Sequence, residues 1–226
     1  MIRRYDVITF DCYGTLIDWN RGIRAAFQSA ARAEGLDVAS EQVLPIYHEV
    51  EPQVQATSFR LYREVLAEVA QRIAQRLGWA MDDAAAQRFA ASLPAWPPFS
   101  DTDAALNRLV SAGYRLGILS NVDGDLLQGT LQHFSAPIEL IVTAQQVRSY
   151  KPAHGHFLEA RKRIGDQRWL HAAQSLFHDV RPCNELNIPV VWVNRENETL
   201  PPNGPRPLDT VPSLAALAGW LDAADA

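Results

Sequence analysis

Polar side chains follow four short apolar segments of the chain, and their chemical types together suit nucleophilic catalysis. They are Asp11 with Thr15, Ser120 with Asn121, Lys151, and Gln174 and Ser175 with Asp179. A carboxylate can act as a nucleophile, and hydroxyl, amide and ammonium groups can stabilise the charges that develop around it. The sequence therefore predicts a catalytic site, provided that the fold brings these four groups of residues together.

The segments around these residues are predicted to form strands and helices in alternation. Short apolar runs with β-branched residues occur at 7–10, 114–120, 138–142 and 189–194, and a weaker run occurs at 170–175. Helical segments lie between them, such as 101–113, where Asp101 or Thr102 can cap the start and Gly113 can end the helix. This alternation predicts an α/β fold with a doubly wound parallel sheet. In such a sheet the carboxyl ends of the strands form the ligand site, which is where the polar residues fall.

About a hundred residues separate the first two predicted strands, far more than one crossover connection needs. Within this stretch, residues 62–77 carry a helical stripe of apolar side chains: Tyr62, Val65, Leu66, Val69, Ile73 and Leu77. We therefore predict a core domain formed by residues 1–17 and 98–226, with an all-helical cap subdomain inserted at 18–97.

Composition narrows the class of partner. The chain has 226 residues, 47% of them hydrophobic, and a formal net charge of −5, which gives no electrostatic reason to bind nucleic acid or anionic membranes. A small-molecule partner is the better expectation. Two cysteines without metal-ligand spacing and the lack of a signal-peptide or transmembrane pattern predict a cytoplasmic protein.

Four motifs in order, "FDCYGTL", "ILSN", "YKP" and "SLFHD", resemble the haloacid dehalogenase (HAD) superfamily over essentially the whole chain. The resemblance implies a Rossmann-like core with a cap, and an aspartate nucleophile at Asp11. Phosphatases of the superfamily usually carry a second aspartate two positions later, where this chain has Tyr13. They also carry an acid at the position of Gln174. Both departures are similar to the L-2-haloacid dehalogenase branch, and the motifs also resemble a side branch that hydrolyses azetidine-2-carboxylate.

The resemblance implies roles for individual residues. Asp11, Lys151 and Asp179 are expected to be catalytic, with Asp179 activating water. The expected substrate-binding residues are Tyr13, Thr15, Ser120, Asn121 and Ser175. No metal site and no cofactor are expected. The implied reaction is hydrolysis of a small 2-substituted carboxylic acid through an ester with the enzyme, either at a carbon–halogen bond or by opening of a C–N ring.

Several alternatives stay open at this stage. Characterised dehalogenases use a cap arginine near the halide, but residues 44–55 contain none, so Trp19, Tyr47, Tyr62 and Arg63 are the candidate cap contacts. A magnesium-dependent phosphatase acting on a small phosphate ester is the alternative enzyme. A phospho-accepting receiver module and a catalytically inactive binding protein are further alternatives. The sequence leaves a homodimer open.

Overall fold

A six-stranded sheet forms the centre of the protein. The computed structural model describes residues 3–56 and 58–224. The strands are β1 (Val7–Phe10), β2 (Arg115–Ser120), β3 (Leu140–Thr143), β4 (Trp169–Ala173), β5 (Val190–Val193) and β6 (Asp209–Val211). They all run parallel, in the order β3-β2-β1-β4-β5-β6. Because the order diverges in both directions from β1, the sheet is doubly wound, and the predicted α/β fold class is confirmed.

Helices fill the connections between the strands. They are α1 (Trp19–Ala33), α2 (Ser40–Gln55), α3 (Tyr62–Arg76), α4 (Asp83–Ala91), α5 (Thr102–Ser111), α6 (Gly124–Thr130), α7 (Ala144–Val147), α8 (Gly155–Ile164), α9 (Arg181–Glu185) and α10 (Leu214–Ala224). Short 3₁₀ turns occupy Leu93–Ala95 and Leu131–His133, and a π-helical turn occupies Leu176–Val180.

Strands β1 to β5 lie close to the positions that the five apolar runs predicted, and β6 follows them. All four residues of β1 are buried, as expected for a central parallel strand covered on both faces. The run at 170–175 is shorter as a strand than predicted, because β4 ends at Ala173. Gln174 and Ser175 therefore stand in the loop beyond the sheet, at the edge where Asp11 leaves β1.

The long connection between β1 and β2 contains the helices α1, α2, α3 and α4, which pack against one another. Tyr62, Val65, Leu66, Val69 and Ile73 of the predicted apolar stripe are all buried. The part of residues 19–91 that the structure describes contains no strand. The division of the chain at 18–97 into cap and core stays a prediction.

Two further features bear on the sequence-based expectations. Cys12 and Cys183 are both buried free thiols. Across residues 3–56 and 58–224, none of the helices has the length and apolar character needed to cross a membrane.

Candidate active site

Lys151 is the centre of the site, although only 1% of its surface is exposed. Its Nζ donates hydrogen bonds to Oδ1 of Asp11 at 2.9 Å, to Oδ1 of Asp179 at 2.6 Å and to the carbonyl oxygen of Leu119 at 2.9 Å. An ammonium carries three hydrogens, so every donor of Lys151 is used inside the protein. The lysine thus binds both the carboxylate of the first motif, Asp11, and the carboxylate of the last motif, Asp179.

Burial and charge act in opposite directions on this group of residues. Burial alone would lower the pKa of Lys151, but the Asp11 and Asp179 carboxylates together raise it above its ordinary value. Burial would raise the pKa of Asp179, yet Lys151 and the hydrogen bond from His171 hold it well below its usual range. Burial raises the pKa of Asp11, and the adjacent Lys151 opposes that shift. The lysine is thus charged at neutral pH, and Asp179 is a carboxylate.

Asp11 is held by the turn that follows β1. Its Oδ2 accepts a hydrogen bond from the Thr15 hydroxyl at 3.1 Å, and that hydroxyl in turn accepts one from the backbone N–H of Gln174 at 2.9 Å. Gly14 has φ = +97°, a conformation that residues with a Cβ rarely adopt, so the tight turn depends on glycine. The turn therefore ties Asp11 to the loop after β4.

The end of β2 contributes Ser120 and Asn121. Asn121 accepts a hydrogen bond from the backbone N–H of Lys151 at 2.6 Å and donates one to its carbonyl oxygen at 3.0 Å. Ser120 is fully buried, and its hydroxyl has no hydrogen-bond partner among the described residues. The Asn121 amide therefore uses part of its hydrogen-bonding capacity on the backbone of Lys151, whereas the Ser120 hydroxyl is still available for a hydrogen bond to a ligand.

Tyr13 and Ser175 reach the same region, but their hydroxyls are engaged within the protein. The Tyr13 hydroxyl lies 2.7 Å from the Thr130 hydroxyl, which itself donates to the carbonyl oxygen of Leu126. Tyr13 is therefore the donor of this pair, and burial raises the pKa of its phenol. The Ser175 hydroxyl accepts a hydrogen bond from the backbone N–H of His178 at 3.0 Å and lies 3.1 Å from Nδ1 of the His178 ring.

A cavity of about 600 Å³ opens above these residues, between the end of the sheet and the helices of the long connection. Of the eight site residues that the sequence predicted, all but Thr15 line it, and Thr15 contacts Asp11 from below. The structure thus brings the four motifs together around one cavity.

The opposite wall of the cavity comes from α1, α2 and α3. Trp19, Tyr47 and Tyr62 line it, as expected from the sequence. Arg63 does not line the cavity and instead forms ion pairs with Asp123 and Asp125. The expectation that Arg63 contacts the ligand is therefore wrong for this structure: the Asp123 carboxylate caps the start of α3 and holds the guanidinium there.

Sequence reasoning missed several other lining residues: His48, Glu51, Gln55, Glu196 and Glu198. Glu51 had a usable signal, because it follows Tyr47 by four positions and so lies on the same face of α2. Glu196 and Glu198 lie in an exposed loop after β5, for which the sequence offers no periodic pattern.

The cavity is rich in carboxylates. Lys151 is the one lysine or arginine among the described residues that line it, and its donors are already committed. Burial raises the pKa of Glu51 to about 7, although Tyr62 and Gln55 donate hydrogen bonds to its carboxylate. Glu51 therefore exchanges its proton near neutral pH and could either donate a proton or hold a cation.

The donor set fits a magnesium ion poorly. Mg²⁺ prefers six oxygen ligands and usually takes at least one or two carboxylates. Here Oδ1 of Asp11 and of Asp179 each accept a hydrogen bond from Lys151, and the third position is the amide Gln174. Within residues 3–56 and 58–224, no cluster of three or more His, Cys, Asp or Glu side chains is arranged to hold a metal.

Comparisons with known proteins agree on one family. A family model described as haloacid dehalogenase-like hydrolase matches residues 5–176. An (S)-2-haloacid dehalogenase of Pseudomonas putida is 26% identical over 223 residues, which cover 95% of each chain.

Solved structures share the fold. An L-2-haloacid dehalogenase of Xanthobacter autotrophicus, solved with chloropropionic acid covalently bound, superposes with a TM-score of 0.78 at 18% identity, covering 96% of this chain and 98% of that one. A HAD hydrolase of Bacillus subtilis bound to magnesium superposes with a TM-score of 0.82 at 15% identity, covering 97% of this chain and 100% of the other. The fold is thus common to dehalogenases and to a magnesium-binding relative, and the choice of chemistry rests on the site residues.

Proposed function

The chain belongs to the haloacid dehalogenase-like hydrolase family, and we propose that it hydrolyses a small 2-substituted carboxylic acid through an ester with Asp11. The observation that carries this proposal is the position of Asp11. Its carboxylate reaches the cavity while Lys151 and Thr15 hold its two oxygens from the protein side. A fixed carboxylate that faces a cavity is arranged to attack a bound electrophile.

In the first step an oxygen of Asp11 attacks C2 of the substrate. The bond from C2 to the leaving group breaks, and the leaving group takes the electron pair with it. Attack from the opposite side inverts the configuration at C2. Ser120 and Asn121 line the cavity beside Asp11 and are our candidates to bind the substrate carboxylate.

In the second step water attacks the carbonyl carbon of the ester, and Asp179 accepts a proton from that water. The tetrahedral intermediate then expels the oxygen bound to C2, which takes up the proton, so the product is a 2-hydroxy acid. The product oxygen comes from Asp11, and the oxygen of water stays in the regenerated carboxylate. We assign the helices of residues 18–97 as the cap that selects the substrate.

Two leaving groups have support. The names of the Pseudomonas and Xanthobacter relatives support a halide. The charges in this cavity support a second candidate, the nitrogen of a strained ring, because no free cation among the described lining residues is available to a departing anion. Glu51, whose pKa is about 7, could instead supply a proton to a departing nitrogen or hold it as an ammonium.

An isotope experiment tests the nucleophile. The protein is incubated in excess over L-2-chloropropionate or L-azetidine-2-carboxylate in ¹⁸O-water, so that each molecule turns over once. We expect the label in the peptide that contains Asp11, unlabelled 2-hydroxy acid, and net inversion at C2 of chloropropionate. Asp11→Asn should be inactive, and Asp166→Asn, which changes an exposed aspartate, should behave like the wild type.

Other outcomes would overturn the proposal. Label in the first-turnover product would show that water attacks the substrate directly. Magnesium-dependent release of phosphate from a simple phosphate ester, without turnover of either acid, would instead support the phosphatase alternative.

A further inference from the structure

A chain of buried hydrogen bonds runs from the middle of the sheet to Asp179. Nε1 of Trp169 donates to the Thr9 hydroxyl at 2.7 Å, and that hydroxyl lies 2.8 Å from Nδ1 of His171. Nε2 of the same ring lies 3.1 Å from Oδ1 of Asp179. Thr9, His171 and Asp179 each have 0% of their surface exposed. Polar groups this deep are costly unless each one is satisfied, so the direction of every hydrogen bond can be worked out.

The register of the sheet explains why these side chains meet. Thr9 of β1 pairs with His171 of β4, and Trp169 precedes His171 by two positions on the same strand. Residues two apart on a strand share a face, so the indole and the imidazole both lie on the side of Thr9. This is a tertiary arrangement that no local pattern of the sequence indicates.

The order of donors follows from the chemistry of each group. An indole N–H can only donate, so the Thr9 oxygen accepts from Trp169. The single hydrogen of the Thr9 hydroxyl then points to Nδ1 of His171, its one other hydrogen-bond partner among the residues that the structure describes. Nδ1 must be the acceptor, and Nε2 therefore carries the ring hydrogen and donates it to Asp179.

Two donors consequently converge on one oxygen of Asp179. Oδ1 accepts from Lys151 at 2.6 Å and from His171 at 3.1 Å. Oδ2 has no hydrogen-bond partner among the described residues, and Asp179 lines the cavity. The carboxylate is thus fixed with one oxygen saturated and the other available.

We propose that His171 is a positioning residue for the second step, and that Thr9 and Trp169 set its tautomer. By holding Oδ1, His171 keeps Oδ2 of Asp179 turned to the water that hydrolyses the ester. The proposal rests on the proposed function, in which Asp179 accepts the proton of that water. It assigns to His171 no contact with the substrate and no part in the first step.

Replacement of Thr9 separates the two steps. Thr9→Val removes the hydroxyl with little change of shape, Thr9→Ser retains it, and His171→Phe removes the ring nitrogens. With L-2-chloropropionate and rapid quenching, His171→Phe should lower kcat by about 10- to 100-fold, the effect of losing a hydrogen bond to a charged group. Thr9→Val removes a hydrogen bond between Thr9 and the His171 ring and should lower kcat by a smaller factor, about 3- to 10-fold. Chloride release in the first turnover should be unchanged, and the ester should accumulate on the Asp11 peptide. Thr9→Ser should restore most of kcat.

Thr143→Val is the matched control, because it removes another fully buried threonine hydroxyl from a neighbouring part of the sheet and leaves the chain to Asp179 intact. It should leave the partition between ester and product unchanged. The positioning role would be refuted if Thr9→Val slowed first-turnover chloride release as much as kcat, or if it left kcat at the wild-type value.

A second measurement needs no turnover. In ¹⁵N-histidine-labelled protein, NMR should show His171 protonated at Nε2 and not at Nδ1, and Thr9→Val should shift the Nδ1 resonance. A His171 ring protonated at Nδ1 would overturn the proposed order of donors in this chain of hydrogen bonds. Failure of the proposed function looks different: no ester would form on Asp11 in the wild type, whatever the tautomer of His171.

Discussion

Asn121 and the backbone of Lys151 are joined by two hydrogen bonds, although thirty positions separate them in the sequence. The Asn121 Oδ1 accepts at 2.6 Å and its Nδ2 donates at 3.0 Å. This pair connects the end of β2 to the loop that carries the lysine. The ammonium that holds Asp11 and Asp179 is therefore placed by Asn121 as well as by its own ion pairs.

Asn121→Ala should consequently displace Lys151. We expect a loss of stability of about 1–3 kcal/mol from two broken hydrogen bonds. We also expect kcat/KM to fall by about 10- to 100-fold, from the misplaced lysine together with the lost contact to the substrate carboxylate. Urea unfolding and steady-state kinetics with L-2-chloropropionate measure the two effects. Asn107→Ala also removes an amide that makes two hydrogen bonds, but it lies on α5 outside the cavity and should leave kcat/KM unchanged. An unchanged kcat/KM in Asn121→Ala would show that Lys151 is positioned without it.

The arrangement of Asp11, Ser120, Lys151 and Asp179 could be predicted from the sequence for a simple reason. In a parallel sheet all carboxyl ends lie at one edge, so residues that follow strands meet there whatever the details of packing. Apolar runs of strand length were sufficient to locate those ends to within a few residues.

His171 and the ion pairs of Arg63 could not be predicted in the same way. His171 pairs with Thr9 of the neighbouring strand, and its contact with Asp179 depends on a π-helical turn that has no sequence signature in this chain. Arg63 binds Asp123 and Asp125, which lie about sixty positions away at the start of α6. Whether these carboxylates interact with their own helix or with the start of α3 depends on the tertiary structure.

Lys151→Met should reverse the direction in which the Asp11 and Asp179 carboxyls make the stability of the protein depend on pH. In the wild type the pKa of Asp179 is lowered, so its contribution to stability is lost as pH falls. Without the ammonium, burial and mutual repulsion raise the pKa values of both carboxyls above their unfolded values, and stability is then lost as pH rises. We expect a deficit of about 3–5 kcal/mol at neutral pH that shrinks on acidification. Lys162→Met, which changes the other lysine of the chain, should show no such trend. A deficit in Lys151→Met that stays constant with pH would contradict the expectation.

Glu51→Gln should stabilise the protein at alkaline pH. The pKa of Glu51 is about 7 in the folded protein, above its ordinary value of 4.5, so the folded state binds its proton more tightly than the unfolded state. The contribution of this proton is present below pH 4.5 and lost as pH rises through 7. The unfolding free energy of Glu51→Gln, relative to the wild type, should therefore rise by about 1–3 kcal/mol from acid to alkaline pH. Denaturant unfolding at several pH values measures it. Glu49→Gln, on the exposed face of the same helix, should show no comparable rise, and an equal rise in both variants would refute the assignment to Glu51.

Treatment with EDTA should leave turnover by the wild type unchanged, and added magnesium should not increase it. The reason lies in the ligands: Lys151 already occupies one oxygen each of Asp11 and Asp179, and Gln174 offers a neutral amide where phosphatases of the superfamily usually carry an acid. Gln174→Asp should supply that carboxylate beside the Asp11 turn, where the backbone N–H of residue 174 already contacts Thr15. We expect millimolar magnesium to raise the Tm of Gln174→Asp while leaving the Tm of the wild type unchanged, since a cation that binds only the folded state stabilises it. Gln146→Asp, which changes a glutamine outside the cavity, controls for a general effect of the added charge.

Loss of wild-type activity in EDTA with recovery on adding magnesium would show that Asp11 and Asp179 bind the cation without a third carboxylate, and would restore the phosphatase alternative.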